Sequence, residues 1–158
     1  MKTAPLPSFD FADSPTAPVR EWLRILHRAN PVLSWTGWLN VGLAAGALVL
    51  LSLDHRLVTG ALVWIKPLKF SLSIVAFTWT LGWLLADLPA TAQPSVRRLS
   101  WGIAVSMVVE QVVIFVQAAR GTTSHYNINS GLNGLLFSLM GIFIMVNTAM
   151  TVWAQYLA

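Results

Sequence analysis

The sequence predicts an all-α integral membrane protein: a four-helix transmembrane bundle with an N-terminal interfacial amphipathic helix. Three observations carry that prediction. Of 158 residues, 56% are hydrophobic and only 10% charged, whereas a soluble domain carries about 25% charged residues. The apolar residues collect into four runs, each near the roughly 20 residues that cross a hydrocarbon core about 30 Å thick. The basic residues flank those runs instead of clustering on a polar face. A net charge of +4 therefore argues for the lipid bilayer as partner and against nucleic acid.

Cysteine is absent, which excludes disulfides and thiolate metal sites. The first 30 residues lack the charged start, apolar core and small-residue cleavage site of a signal peptide, so the first span is expected to direct insertion. Residues 1–18 hold Pro5, Pro7, Pro15 and Pro18, a density that disfavours helix and sheet and predicts a flexible tail. Residues 19–30 follow as the amphipathic helix. Val19, Trp22, Leu23 and Leu26 share one face and Arg20, Arg24 and Arg28 the other, which suits a membrane surface with tryptophan at headgroup level. A helix packed on another subunit would show a similar pattern.

Residues 31–158 form the transmembrane domain. Its first span runs over about 32–53, opened by Asn30-Pro31. Gly42 and Gly46 make a small-residue face, and Asn40, the one strongly polar side chain in the run, is expected to hydrogen-bond between helices. Asp54, His55 and Arg56 make a polar turn. Residues 57–65 are too short to cross and are expected as a re-entrant or interfacial lead-in, with a single long helix kinked at Pro67 as the rival. The second span covers about 67–88, because proline suits a first helical turn. The third covers about 99–120, with Gly121 placed to end it. The fourth covers about 132–157, capped by Asn129 or Ser130 and carrying Gly134, Ser138 and Gly141 on one face.

Orientation follows from positive charge on the cytoplasmic side. Lys2, Arg20, Arg24 and Arg28 precede the first span, and Arg97 and Arg98 join spans two and three. Both segments and both termini are expected in the cytoplasm of a cell with the protein in its bacterial inner membrane. Trp22, Trp35, Trp38, Trp83, Trp101 and Trp153 fall toward that same side, with Trp64 and Tyr126 opposite.

At 1.5 Å per residue, Glu110 lies roughly 18 Å beyond Arg98, past the bilayer midplane. A charge there costs about 2.5–3.5 kcal/mol against lipid, so Glu110 is expected to face the bundle and pair, with Lys69 as the first choice, or to be protonated. Ser73 falls at similar depth. Gln117 shares a face with Glu110. Lys66, His55, Arg56, Arg120, His125 and Asn127 gather toward the outer end. Taken singly, Lys66 and Arg120 are ordinary snorkelling cations, His125 a solvated loop imidazole and Asn127 a turn former. Taken together with Lys69, Ser73, Glu110 and Gln117, they make a candidate ligand-binding or proton-coupling site. A buried Glu–Lys pair that only fixes helix packing is the plainer alternative.

The segments IKPLKFSLS and QAARGTTSHYN resemble paired segments of an uncharacterised family of bacterial multi-pass membrane proteins. The resemblance implies that Lys66, Pro67, Lys69, Gln117, Arg120, Gly121, Ser124, His125 and Asn127 act as one unit. It implies no reaction.

The functional expectation is binding or transport of a small anionic or zwitterionic ligand at an outward polar site, with proton coupling at Glu110. Transport through four spans would call for a homo-oligomer. A membrane-embedded enzyme acting on a lipid or isoprenoid headgroup stays open, with Glu110 or His125 as base, although no HExxH, nucleophile elbow or aspartate-rich motif is present. A structural or partner-binding subunit also stays open. No cofactor and no metal site is expected: His27, His55 and His125 fall outside the spans, and a zinc site needs three or four protein ligands.

Overall fold

The structure is a computed structural model that describes residues 17–125, 128 and 130–157. The proline-rich tail lies outside them, apart from Ala17 and Pro18, which open helix α1 (Ala17–Ala29). Leu26 is fully buried and is the residue that docks α1. It fits because Gly82 has no side chain: a Cβ there would stand 2.8 Å from Leu26 Cδ1. Trp22 reinforces the contact by meeting Trp79 edge-on at 5.9 Å.

Helix α2 (Pro31–Leu53) starts where the sequence places it. The Asn30 side chain accepts from Leu33 N at 3.2 Å, and Pro31 supplies the φ of a first turn without a wasted donor. Asn40 is buried but does not reach another helix. It donates to Thr36 O, one turn back, at 2.9 Å, and its Oδ1 has no partner among the described residues.

The rival reading of residues 57–65, one long helix kinked at Pro67, is not what forms. Leu57–Val58 (β1) and Ala61–Leu62 (β2) pair antiparallel as a short hairpin. Its two central residues, Thr59 and Gly60, both have positive φ, 53° and 81°, as a tight two-residue hairpin turn requires. Glycine tolerates that backbone and β-branched Thr59 is strained by it. Helix α3 (Ile65–Leu84) then begins, and Pro67 falls in its first turn, so nothing kinks. A 3-10 turn, Leu85–Asp87, completes the second long apolar segment.

Helix α4 (Gln93–Ala119) opens ahead of the expected Leu99, with Pro94 in its first turn. It ends at Gly121, whose φ of 67° allows Gly121 N to bond Ala118 O at 2.9 Å and Thr122 N to bond Gln117 O at 3.0 Å, the paired carbonyl caps of a left-handed helix end. Helix α5 (Gly131–Leu157) closes the chain.

Four helical segments are long and apolar enough to cross a membrane. They are Pro31–Leu53, Ile65–Asp87, Gln93–Ala119 and Gly131–Leu157. α2 packs chiefly on α3, and α5 chiefly on α4. α4 is the central element: its buried stripe includes Ile103, Met107, Glu110, Gln111, Ile114 and Gln117. α5 leaves most of its surface open, with Leu135, Ile142, Met145 and Val152 exposed. The bundle has two ends. At the α1 end the core joins Leu33, Ile74, Leu85, Leu99, Ile103 and Ala154. At the hairpin end Val63, Trp64 and Ala118 pack together.

Candidate functional site

The hairpin end holds a cavity of about 350 Å³, within the range of small-molecule pockets. The hairpin, the first turn of α3, the last turns of α4 and the following loop enclose it. Val63, Pro67, Phe70 and Ile114 give it apolar walls; Lys66, Lys69, Thr122, Thr123, Ser124 and His125 bring the polar groups. No carboxylate stands among the described residues that line it.

Lys66 is placed by the hairpin, which delivers the chain into α3 so that its second residue sits beside the α4–α5 loop. Its Nζ lies 2.8 Å from His125 Nδ1 and 5.8 Å from the centre of the Phe70 ring. Ser124 Oγ lies 3.1 Å from the same His125 Nδ1. An ammonium has donors only, so Nδ1 must be the acceptor and Nε2 carries the ring proton. That assignment rests on the bonding pattern. Burial, and then the charge of Lys66, hold the His125 pKa below its ordinary 6.5, so the ring is neutral at neutral pH. Because Lys66 and Ser124 meet one nitrogen, the imidazole does not stand between a hydroxyl and a second group as a nucleophile relay requires. The arrangement instead presents an ammonium and a ring N–H donor.

Glu110 lies deeper on α4, 7% exposed. The cation whose field reaches it is Lys66. Lys69, the expected partner, is exposed. The rotation of α3 decides this: Pro67, Ser71, Ile74 and Thr78 form its buried face, which turns Lys69 outward to the cavity wall. Glu110 forms no ion pair within 4.0 Å among the described residues and does not line the cavity. Its neighbour Gln111 clamps α3, donating to Pro67 O at 3.2 Å and to Ser71 Oγ. Ser73 is exposed and is not among the residues lining the cavity.

Gln117 and Arg120 belong to a different group. Arg120 Nη1 donates to Gln117 Oε1 at 2.7 Å and to Asn133 Oδ1 at 2.8 Å. Gln117 Nε2 donates to Asn133 Oδ1 at 3.3 Å, and Thr122 Oγ1 donates to Gln117 Oε1 at 3.0 Å. This network latches the end of α4 to the start of α5, and Thr122 links it to the cavity wall. Asn133 was not singled out from the sequence; an asparagine two residues into an apolar helix was the available signal. Asn127 lies outside the described residues, and His55 is exposed.

A third group braces the hairpin. Asp54 accepts from Arg56 Nη2 at 2.7 Å and from Trp64 Nε1 at 2.8 Å, while Arg56 Nη1 donates to Ala119 O at 3.2 Å. Those bonds, Arg56 foremost, hold the Asp54 carboxyl well below the usual carboxylate range.

Among the described residues no three His, Asp or Glu side chains gather where they could hold one metal ion. Comparison with known proteins finds no matching family, no similar curated protein and no similar solved structure.

Proposed function

We propose that this is a multi-pass membrane protein that binds a small monoanion, a carboxylate with an apolar body, in the pocket at the hairpin end. The observation that carries the reading is charge. The cavity lining offers two ammonium groups and a neutral imidazole, with no carboxylate among its described residues. Lys66 is partly compensated by Glu110 behind it, which leaves Lys69 as the uncompensated charge. The cation of a zwitterion would meet hydroxyls but no counter-charge, since no carboxylate stands among the described residues of the walls. Val63, Pro67, Phe70 and Ile114 suit the apolar body.

Positive charge flanking the spans supports termini in the cytoplasm, α1 lying at the inner surface of a bacterial cytoplasmic membrane, and the pocket facing outward. Glu110 is the group through which binding couples to protons: it and a bound anion compete for the same ammonium, so neutralising one favours the other. The reading stops at binding for a single copy. A path beyond the pocket would have to pass Gln111, Val113 and Ile114, which are buried in the packed stripe of α4. Transport would therefore need an assembly of copies.

Calorimetric titration of the full-length protein in detergent micelles tests this, with benzoate, benzamide and inorganic phosphate as probes. Benzoate is expected to bind and its neutral isostere benzamide is not. Lys69→Gln is expected to weaken benzoate by roughly tenfold, the factor that about 1.4 kcal/mol represents. Equal binding of benzoate and benzamide overturns the reading, and so does benzoate affinity unmoved in Lys69→Gln.

A further inference from the structure

A larger cavity, about 1090 Å³, is at the other end of the bundle and plays no part in the anion pocket. It is a groove between the first half of α2 and the first half of α4, open on the side that would face lipid. Leu39, Val105, Val108 and Val109 are among its apolar lining. The polar pair in it is already satisfied: Asn30 Nδ2 donates to Ser100 Oγ at 2.7 Å, and Ser100 Oγ donates to Val96 O at 2.8 Å. That pair ties α2 to α4 at the α1 end and sets the groove's width there. It offers little to a polar ligand.

The mouth is different. A second hollow, about 610 Å³, adjoins the groove and shares Gln93, Arg97 and Trp101 with it, adding Arg98. Arg97 and Arg98 are exposed and neither forms an ion pair among the described residues. Trp35 and Trp101, 64% and 54% exposed, stand along the groove, as tryptophan does at headgroup depth. The α4 wall from Gln93 to Val109 is roughly 24 Å long. One leaflet with its headgroups is about 20 Å, half of a 40–45 Å bilayer. An apolar trench one leaflet deep, opening beneath two uncompensated arginines, has the charge and shape of an anionic phospholipid: acyl chain in the trench, phosphate on Arg97 and Arg98.

We infer that this groove is a binding site for an anionic glycerophospholipid of the surrounding bilayer, held by Arg97 and Arg98 at its headgroup. The site is independent of the anion pocket and needs only that the chain spans the membrane.

Native mass spectrometry of the full-length chain tests it, with the protein released from micelles holding equimolar phosphatidylglycerol and phosphatidylcholine. Each arginine near the surface contributes roughly a factor of five for an anionic headgroup, so the wild type is expected to retain phosphatidylglycerol over phosphatidylcholine by about 25-fold. R97Q/R98Q is expected to bring that ratio close to one. R97Q and R98Q singly, each at an exposed position, give the intermediate ratio and serve if the double variant does not fold. Val105→Trp, which fills the trench from an exposed position, is expected to reduce retention of both lipids, while Leu135→Trp on the open face of α5 leaves it unchanged. Equal retention of the two lipids by the wild type would mean annular lipid only and overturns the assignment. A preference that survives in R97Q/R98Q, retention unmoved by Val105→Trp, or release as lipid-free dimers with a second copy in the groove overturns it equally.

Discussion

Lys66 Nζ lies 2.8 Å from His125 Nδ1, an ammonium donating to an imidazole that burial and the ammonium itself keep neutral. The contact joins the start of α3 to the loop that follows α4, so one bond both closes the pocket and fixes which ring nitrogen can face a ligand. It exists only while His125 is unprotonated, because two cations cannot share it.

That condition makes a pH prediction. The folded His125 pKa lies below the unfolded value of 6.5, so in acid the unfolded chain takes up a proton that the folded chain refuses. Its contribution to stability is fully present above pH 6.5 and is lost as pH falls through the folded value. Asp54 is also depressed, from 3.8, and its contribution is lost only in a separate, lower window beginning near pH 4. Thermal melts in micelles are expected to show both steps. His125→Gln is expected to remove the upper step and Asp54→Asn the lower. A wild-type melting temperature flat between pH 7 and 5 would contradict the neutral imidazole.

On the proposed anion-binding reading, Glu110 competes with the anion for Lys66. Glu110→Gln removes the competitor and keeps the shape, so it is expected to tighten benzoate binding by roughly tenfold, about 1.4 kcal/mol. It should also abolish proton uptake on binding, measured as the buffer-dependent part of the calorimetric heat. Weaker binding in Glu110→Gln would show that the carboxylate contacts the ligand or holds the pocket together, and the competition argument would fall.

The latch at Gln117, Arg120 and Asn133 is fully buried at Gln117, so cutting it leaves polar groups unpartnered. Gln117→Ala is expected to cost about 1–3 kcal/mol, the usual penalty for orphaning a buried hydrogen-bond partner, read by denaturant titration in mixed micelles. Gln117→Leu/Asn133→Leu, which removes both neutral partners, is expected to recover part of that loss. A benzoate affinity that falls more steeply than stability in Gln117→Ala would mean the latch reaches the ligand directly.

Much of the architecture was legible because hydropathy, a start signal and a stop signal act locally. The four long apolar helices, the Asn30-Pro31 opening of α2 and Gly121 at the end of α4 all rest on such signals. The grouping of the candidate residues was legible only in part. Lys66, Lys69 and His125 line one cavity, but it is Lys66 and not Lys69 whose charge reaches Glu110. Depth follows from counting residues, whereas helix rotation depends on which face packs, and α3 is apolar around most of its circumference. Gln117 and Arg120 share the end of α4 with the pocket, yet Asn133 on α5 draws them aside, a contact that no local pattern announces. The hairpin was hidden for a different reason. Thr59-Gly60 is a weak turn signal between two apolar pairs, too short for alternation to show.

The docking of α1 depends on a tryptophan cluster with no room to move. Trp79 meets Trp22 at 5.9 Å and Trp38 at 5.3 Å, both edge-on, and its Nε1 donates to Ser34 O at 3.3 Å. Gly37 is the floor beneath it: a Cβ there would overlap the indole ring itself. Rings held on several sides cannot shift by a few tenths of an ångström as a flexible side chain can. Gly37→Ala is therefore expected to expel Trp79 from its site at a cost of about 1–3 kcal/mol, typical of overpacking. It should also free α1, seen as faster proteolysis within residues 17–29 and a changed tryptophan emission. Gly42→Ala on the same helix meets nothing within 4 Å and is expected to leave both readouts unchanged. If Gly37→Ala matched Gly42→Ala in stability and emission, the indole would not be packed against α2, and α1 would have to be held without it, by Leu26 and by His27 against Ser34 and Trp35.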